Sequence, residues 1–205
     1  MKTIICDDAI HYLNEQSNNS IPNIITGLPD LDEMNLSFDD YLKFFVSTIE
    51  LLMDKINTNG FLFFLQTDRL YKKTWLDKSS IIINISKQKN LNLLFHKIIL
   101  NRDVGKINLH RPTYSHFLCF SRFNSVGIRT PDVFYSGTKI YKNASSRKAT
   151  QVAIDIIKKK FNYPVLDPFN GRGTTTSLCE FNNIDSIGVD IDSKQCEYAE
   201  KLILS

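Results

Sequence analysis

Short apolar runs alternate along this chain with stretches whose apolar residues recur every three to four positions, the two periods of strands and helices. Residues 2–6 (KTIIC) read as a strand, and residues 8–15 as a short helix. Residues 23–26 form a second strand, closed by the turn Gly27-Leu28-Pro29-Asp30. Ser37 then offers a helix N-cap, and Tyr41, Phe44, Phe45, Ile49, Leu52 and Met53 keep helical spacing until Asn59-Gly60. The unbroken apolar run 61–65 predicts a buried central strand. A helix over 79–89 follows, then strands over 91–100 and 115–121 that suit an antiparallel pair. From 122 to 141 the pattern dissolves into Gly, Pro, Ser and Thr, so 123–141 is expected to be a flexible segment. A helix over 146–161, a strand at 165–166, a Gly-rich turn, a helix over 174–181, a strand over 186–189 and a last helix capped by Asp192 complete the chain. Strands separated by helices imply an α/β fold with a mostly parallel sheet covered on both faces and one antiparallel strand.

Composition narrows the class. A chain of 205 residues with 42% hydrophobic positions suits one domain over 1–205. Lys and Arg number 25 against 22 Asp and Glu, a net +3, so no global field demands a nucleic-acid partner. No apolar run approaches the ~20 residues of a bilayer-spanning helix, and MKTIICDDAIHYL carries acids where a signal peptide would stay apolar; membrane and secreted classes are therefore not expected. Cys6, Cys119, Cys179 and Cys196 lie far apart without a CxxC pair, which fits the cytoplasm or another reducing compartment and no metal site.

The sharpest chemistry lies in 164–192, PVLDPFNGRGTTTSLCEFNNIDSIGVDID. A buried strand ends at Asp167, Gly171 and Gly173 permit a tight turn near a ligand, and Thr174 starts a helix. The next strand delivers Asp190 at its carboxyl end, where an acid accepts both hydroxyls of a ribose, so an adenosine-bearing cofactor is expected. DPFNGRGTT closely resembles the DPFxGxGTT signature of amino-methyltransferases that use S-adenosylmethionine, and GVDID resembles their second motif. The resemblance implies a Rossmann-like methyltransferase fold and S-adenosylmethionine as cofactor. It assigns Asp167, Pro168, Phe169, Gly171, Gly173, Thr174 and Thr175 to the cofactor turn and Asp190 to the ribose.

Earlier segments extend the resemblance. IICDDAIHYL is similar to the family's third motif, in which an acid meets the adenine amine; Asp8 is the match. IPNIITGLPD sits where the fourth motif falls, and that order, fourth before first, resembles the circularly permuted class of DNA amino-methyltransferases, which places the first strand beside the last. GFLFFLQTD is similar to the sixth motif, and FHKIIL with RPTYSHFLCFSR to the strands flanking the target-base pocket. NASSRKATQVAIDIIKKKF sits where the tenth motif touches the methionine end of the cofactor, offering the hydroxyls of Ser145 and Ser146.

The departure is at the fourth motif. There the family uses an acid or amide and a backbone carbonyl to hold the amine, and an aromatic ring to stack on the flipped base; here the residues are Gly27, Leu28, Pro29 and Asp30. Pro29 is counted with the catalytic candidates, Asp30 is the first candidate to orient the nucleophile or take its proton, and Asp68 in QTDR the second. The alternative for Asp30 is capping within DLDEM. His96, His110 and His116 are read as solvated or core residues.

Lys72, Lys73, Lys78, Arg102, Lys106, Arg111 and Arg122 interleave with Tyr71, Trp75, His110 and Tyr114, a pattern suited to nucleic acid. Tyr71, Trp75, Arg111 and Tyr114 are the candidates to bind substrate, any of the three rings serving as a platform in place of the missing aromatic. Three functions stay open: a nucleic-acid methyltransferase, one acting on a small molecule or protein, and a cofactor-binding inactive subunit that needs a protein partner. A homodimer is also allowed. Since only 123–141 could house a recognition unit, against the ~50 residues of a small folding unit, structured RNA is favoured over DNA.

Overall fold

The computed structural model describes residues 1–109, 111–122, 129–138, 140–141, 144–160 and 163–204. Along the chain come β1 (Lys2–Cys6), α1 (Ala9–Glu15), β2 (Ile21–Thr26), a 3-10 turn (Leu31–Glu33), α2 (Phe38–Lys55), β3 (Ile56–Gln66), β4 (Arg69–Tyr71), β5 (Thr74–Leu76) and α3 (Lys78–Gln88). Then follow β6 (Asn92–Leu100), β7 (Tyr114–Ser121), β8 (Val133–Tyr135), α4 (Arg147–Lys160), β9 (Val165–Asp167), α5 (Thr174–Phe181), β10 (Ser186–Asp190) and α6 (Ser193–Lys201).

Local chemistry accounts for most boundaries. Ser37 caps α2 by accepting a hydrogen bond from Asp40 N, and Tyr41, Phe45, Ile49, Leu52 and Met53 are buried along one stripe. Asp192 caps α6 as expected. β7 alternates faces: Leu118 and Phe120 join the core under α1, α2 and α3, while Phe117 and Cys119 join the core under α4 and α5.

Eight strands form one sheet in the order β1-β10-β9-β2-β3-β7-β6-β8, and β7 alone runs against the rest. β1 lies parallel beside β10, with Cys6 opposite Asp190, as the expected strand neighbours require. From β9 the chain proceeds through α5 to β10 on one side, and from β2 through α2 to β3 on the other. The direction of winding therefore reverses between β9 and β2, and the crevice outside the carboxyl ends of those two strands is where such sheets bind ligands.

Two elements depart from the sequence reading. β4 and β5 pair as a separate hairpin whose strands are too short to show a period. β8, parallel to β6, occupies part of the stretch expected to be flexible, because Phe134 finds a buried place beside Phe117 that local composition does not reveal. Residues 123–128 and 139 of that stretch, and also His110 and Phe161, lie outside the described residues. Among the described residues no helix is long and apolar enough to cross a membrane.

Candidate active site

Asp167 ends β9 at the crevice and is buried. Its Oδ1 accepts from Thr26 Oγ1 at the end of β2, 2.9 Å away, and from Phe169 N at 3.2 Å, so one carboxylate joins the two strands between which the winding reverses. Burial pushes the carboxyl up to about 6, although hydrogen bonds from Thr175, Thr26 and the Phe169 N–H pull the other way. Such a group favours folding fully below its ordinary 3.8 and loses that contribution as pH rises to about 6, a cost of about 3 kcal/mol. Asp167→Asn keeps an acceptor for Thr26 and should abolish that loss. The difference in urea stability between wild type and variant should then change by about 3 kcal/mol between roughly pH 4 and pH 7. A difference independent of pH would show that Asp167 is solvated.

The turn after Asp167 is built on two glycines with left-handed backbone, Gly171 at φ 54° and Gly173 at φ 83°. A Cβ on Gly173 would lie 2.9 Å from Ala199 Cβ, so this residue lets α6 close on the start of α5. Gly171 N donates to Asp190 Oδ2 at 2.8 Å, and Asp190 Oδ1 accepts from Asp192 N at 3.0 Å. The acid at the end of β10 thus faces the turn directly. Asp7 N donates to Asp190 O, which brings the end of β1 to the same edge, where Asp8 caps α1 through Ile10 N and His11 N.

Pro168 is buried and Phe169 meets Phe44 of α2 edge-on at 6.3 Å, so both serve the shape of the turn. Thr174 and Thr175 are buried at the start of α5. Ser146 departs from its expected role: its hydroxyl donates to Ser136 O and accepts from Ala149 N, which makes it the buried cap of α4. Ser145 beside it is half-buried. The residue the sequence reading missed is Tyr141, whose hydroxyl accepts from Arg172 N and lies 2.9 Å from where a Gly171 Cβ would be. Its position inside an irregular stretch left no signal.

The loop after β2 explains its own departure from the fourth motif. A Cβ on Gly27 would fall 2.5 Å from the Leu65 carbonyl oxygen, so the close approach of β3 forbids any side chain there. Buried Gln66 clamps the next residue on both sides, accepting from Leu28 N at 3.0 Å and donating to Leu28 O at 3.3 Å. Tyr41 OH donates to Pro29 O, so the carbonyl of this catalytic candidate is already engaged.

Asp30 is 15% exposed and ion-paired to Lys78 at 2.9 Å and Arg69 at 3.1 Å, with Arg111 at 3.7 Å. Burial raises its pKa, but the Lys78 ammonium and Arg69 guanidinium prevail and hold the carboxyl below the usual range. It also caps the 3-10 turn, with Glu33 reciprocating at Asp30 N. A carboxylate held by three cations is a poor proton acceptor, and the contacts of Asp30 anchor the loop. Arg69 and Arg111 also bind Asp32, which ties β4 and the β6–β7 connection to the same loop.

Asp68, the second acid candidate, is buried and fully engaged. Its Oδ1 accepts from Lys78 N, while Oδ2 meets His116 Nε2 at 2.9 Å and accepts from Trp75 Nε1 at 3.4 Å. His116 Nδ1 in turn lies 2.8 Å from His96 Nε2. The two histidines, read as core or solvated, are one buried and one exposed, but they are joined in a chain to Asp68. Tyr71 stacks on Phe38 at 3.9 Å and Tyr114 packs edge-on against His116 at 5.4 Å, whereas Trp75 is 45% exposed.

A Gly-rich turn at the point where a mostly parallel sheet reverses its winding, with an acid at the end of the neighbouring strand, defines a Rossmann-like methyltransferase fold. TTHA0409 of Thermus thermophilus, assigned as a DNA modification methylase and crystallised with S-adenosyl-L-methionine, superposes with a TM-score of 0.71 at 15% identity over 98% of this chain and 94% of that one. The PvuII DNA methyltransferase, cytosine-N4-specific, gives 0.72 at 14% identity over 98% and 86%. Residues 130–201 match the DNA methylase family, and the type II methyltransferase M.HpaI of Haemophilus parainfluenzae is 24% identical over 237 residues, 97% of this chain and 73% of its own length. These matches make the chain similar to DNA methylases, most directly over residues 130–201. The matching family model and the PvuII enzyme are described as DNA methylases, and the expected preference for RNA finds no support among these matches.

Proposed function

We propose that this chain transfers a methyl group from S-adenosylmethionine to an exocyclic amino nitrogen of a DNA base. The observation that carries the reading is the cofactor cradle at the switch point, where Asp190 accepts from Gly171 N and Asp167 joins β9 to β2. The donor set suits this cofactor: Asp167 is a buried carboxylate with no Lys or Arg partner among the described residues, fit to face a cation, and Asp190 is an acceptor fit for a ribose. Asp8 stands at the same edge for the adenine amine.

When bound, the cofactor supplies an activated methyl on a sulfonium, so the protein need only align the nucleophile. The Gly27–Asp30 loop does the aligning as a rigid wall, fixed by Gln66, Tyr41, Lys78 and Arg69. Once the new N–C bond forms, the nitrogen is a strong acid and its proton passes to water, so turnover does not require Asp30 as a base. The relatives named above, DNA methylases by description, support DNA as the substrate.

Purified chain incubated with radiolabelled S-adenosylmethionine and, separately, DNA, RNA and a protein extract should label DNA. Nucleoside digestion then tells methylated adenine from methylated cytosine. Label confined to RNA or protein would overturn the substrate, and label in no fraction would overturn the activity.

A further inference from the structure

The hairpin β4–β5 stands beside the loop that follows β2, held to it by Arg69, which bridges Asp30 and Asp32. Its tip carries Lys72 at φ 46° and Lys73 at φ 65°. Two consecutive left-handed residues are what a two-residue primed hairpin turn demands, and Asn or Gly normally fills them. The other non-glycine residues with positive φ among those described are Asn19, Asn90 and Asn183. Lysine in both places is a local backbone cost, the mark of a segment shaped by what it contacts. Among the described residues neither lysine is in an ion pair, and Lys72 lies over the Tyr71 ring at 5.3 Å.

Trp75 follows two residues after that tip, and its position contrasts with those of the nearby aromatic rings. Tyr71 is covered by Phe38, and Tyr114 packs on His116, while Trp75 is exposed. The indole N–H is turned inward to Asp68, the carboxylate that His116 and Lys78 N also hold. The one polar atom of the ring is therefore engaged inside, and what the ring offers outside is apolar π surface.

Resting on the DNA reading above, we infer that the β4–β5 hairpin grips the DNA: Lys72 and Lys73 neutralise backbone phosphates, and Trp75, mounted on Asp68, stacks on an unstacked base. Two cations and an exposed aromatic within one short hairpin are the chemistry of a single-strand platform, in which charge follows the backbone and the ring accepts any base.

Trp75 is the single tryptophan of the chain, so its fluorescence reports on this hairpin alone. Adding a short duplex oligodeoxynucleotide with one mismatched adenine should quench that emission, and dextran sulfate, a polyanion without bases, should not. Trp75→Ala should weaken binding to this duplex by between about 5- and 150-fold. K72E/K73E should weaken it too and lower the slope of log affinity against log salt by roughly 2. S-adenosylmethionine affinity should be unchanged in both variants. If the wild-type chain methylates DNA while both variants bind the duplex as it does, the hairpin is not the grip and the proposed activity stands. If the wild-type chain neither binds nor methylates DNA, the proposed function falls and the hairpin assignment falls with it.

Discussion

Asp190→Ala should weaken S-adenosylmethionine binding by about 100-fold or more. A carboxylate receiving two ribose hydroxyls provides two hydrogen bonds to a charged acceptor, each worth about 1.5 to 3 kcal/mol. The same side chain fixes Gly171 N at 2.8 Å and Asp192 N at 3.0 Å, so its loss also loosens the Gly-rich turn. Titration calorimetry reads the affinity, and urea unfolding of the cofactor-free variant separates weakened binding from a damaged fold. Asp190→Asn, which retains one acceptor oxygen, should fall between the two. Equal affinity in wild type and a folded Asp190→Ala protein would remove Asp190 from the cofactor site.

Lys78→Met should destabilise the protein by about 1.5 to 3 kcal/mol, the cost of a lost hydrogen bond between charged partners at a carboxylate that Arg69 and Arg111 still hold. Lys78 is 0% exposed, its ammonium lies 2.9 Å from Asp30 Oδ1, and the rings of Tyr41 and Phe45 flank it at 5.4 and 5.6 Å. Methionine fills the same volume, so the effect reads charge rather than packing. Adding Asp30→Asn should recover part of the loss, because the carboxylate that lost its nearest counter-ion goes with it. A double variant as unstable as the sum of the two single ones would show that the pair is not coupled. Asp30 titrates below the usual carboxylate range, so its contribution is present above its unfolded value and is lost as pH falls through the lower folded value. Acid should therefore loosen the Gly27–Asp30 loop in wild type more than in Asp30→Asn.

Much of the cofactor half was legible in the sequence because its determinants are local. Gly171 and Gly173 answer to backbone φ, Asp192 and Ser37 to unpaired helix N–H groups, and the apolar run before Gln66 to the burial of a central strand. Each of these is decided within a few residues, so spacing and residue type suffice. The strand that delivers Asp190 and the turn that Gly171 N opens toward it lie in one βαβ unit, whose handedness leaves little choice of arrangement.

The substrate half was decided by tertiary structure. Asp30 reads as an available acid until the fold brings Lys78, 48 residues away, into its carboxylate and Arg69 beside it. Gly27 reads as a lost catalytic residue until the Leu65 carbonyl of the neighbouring strand is seen to fill the space of any side chain. Asp68, His116 and His96 belong to a loop and two strands, and only the antiparallel registers of β7 with β3 on one side and β6 on the other join them. Local patterns record which face a residue turns inward. They do not record which remote charge meets it there, because that depends on strand order and register, which are set by the burial of the whole sheet.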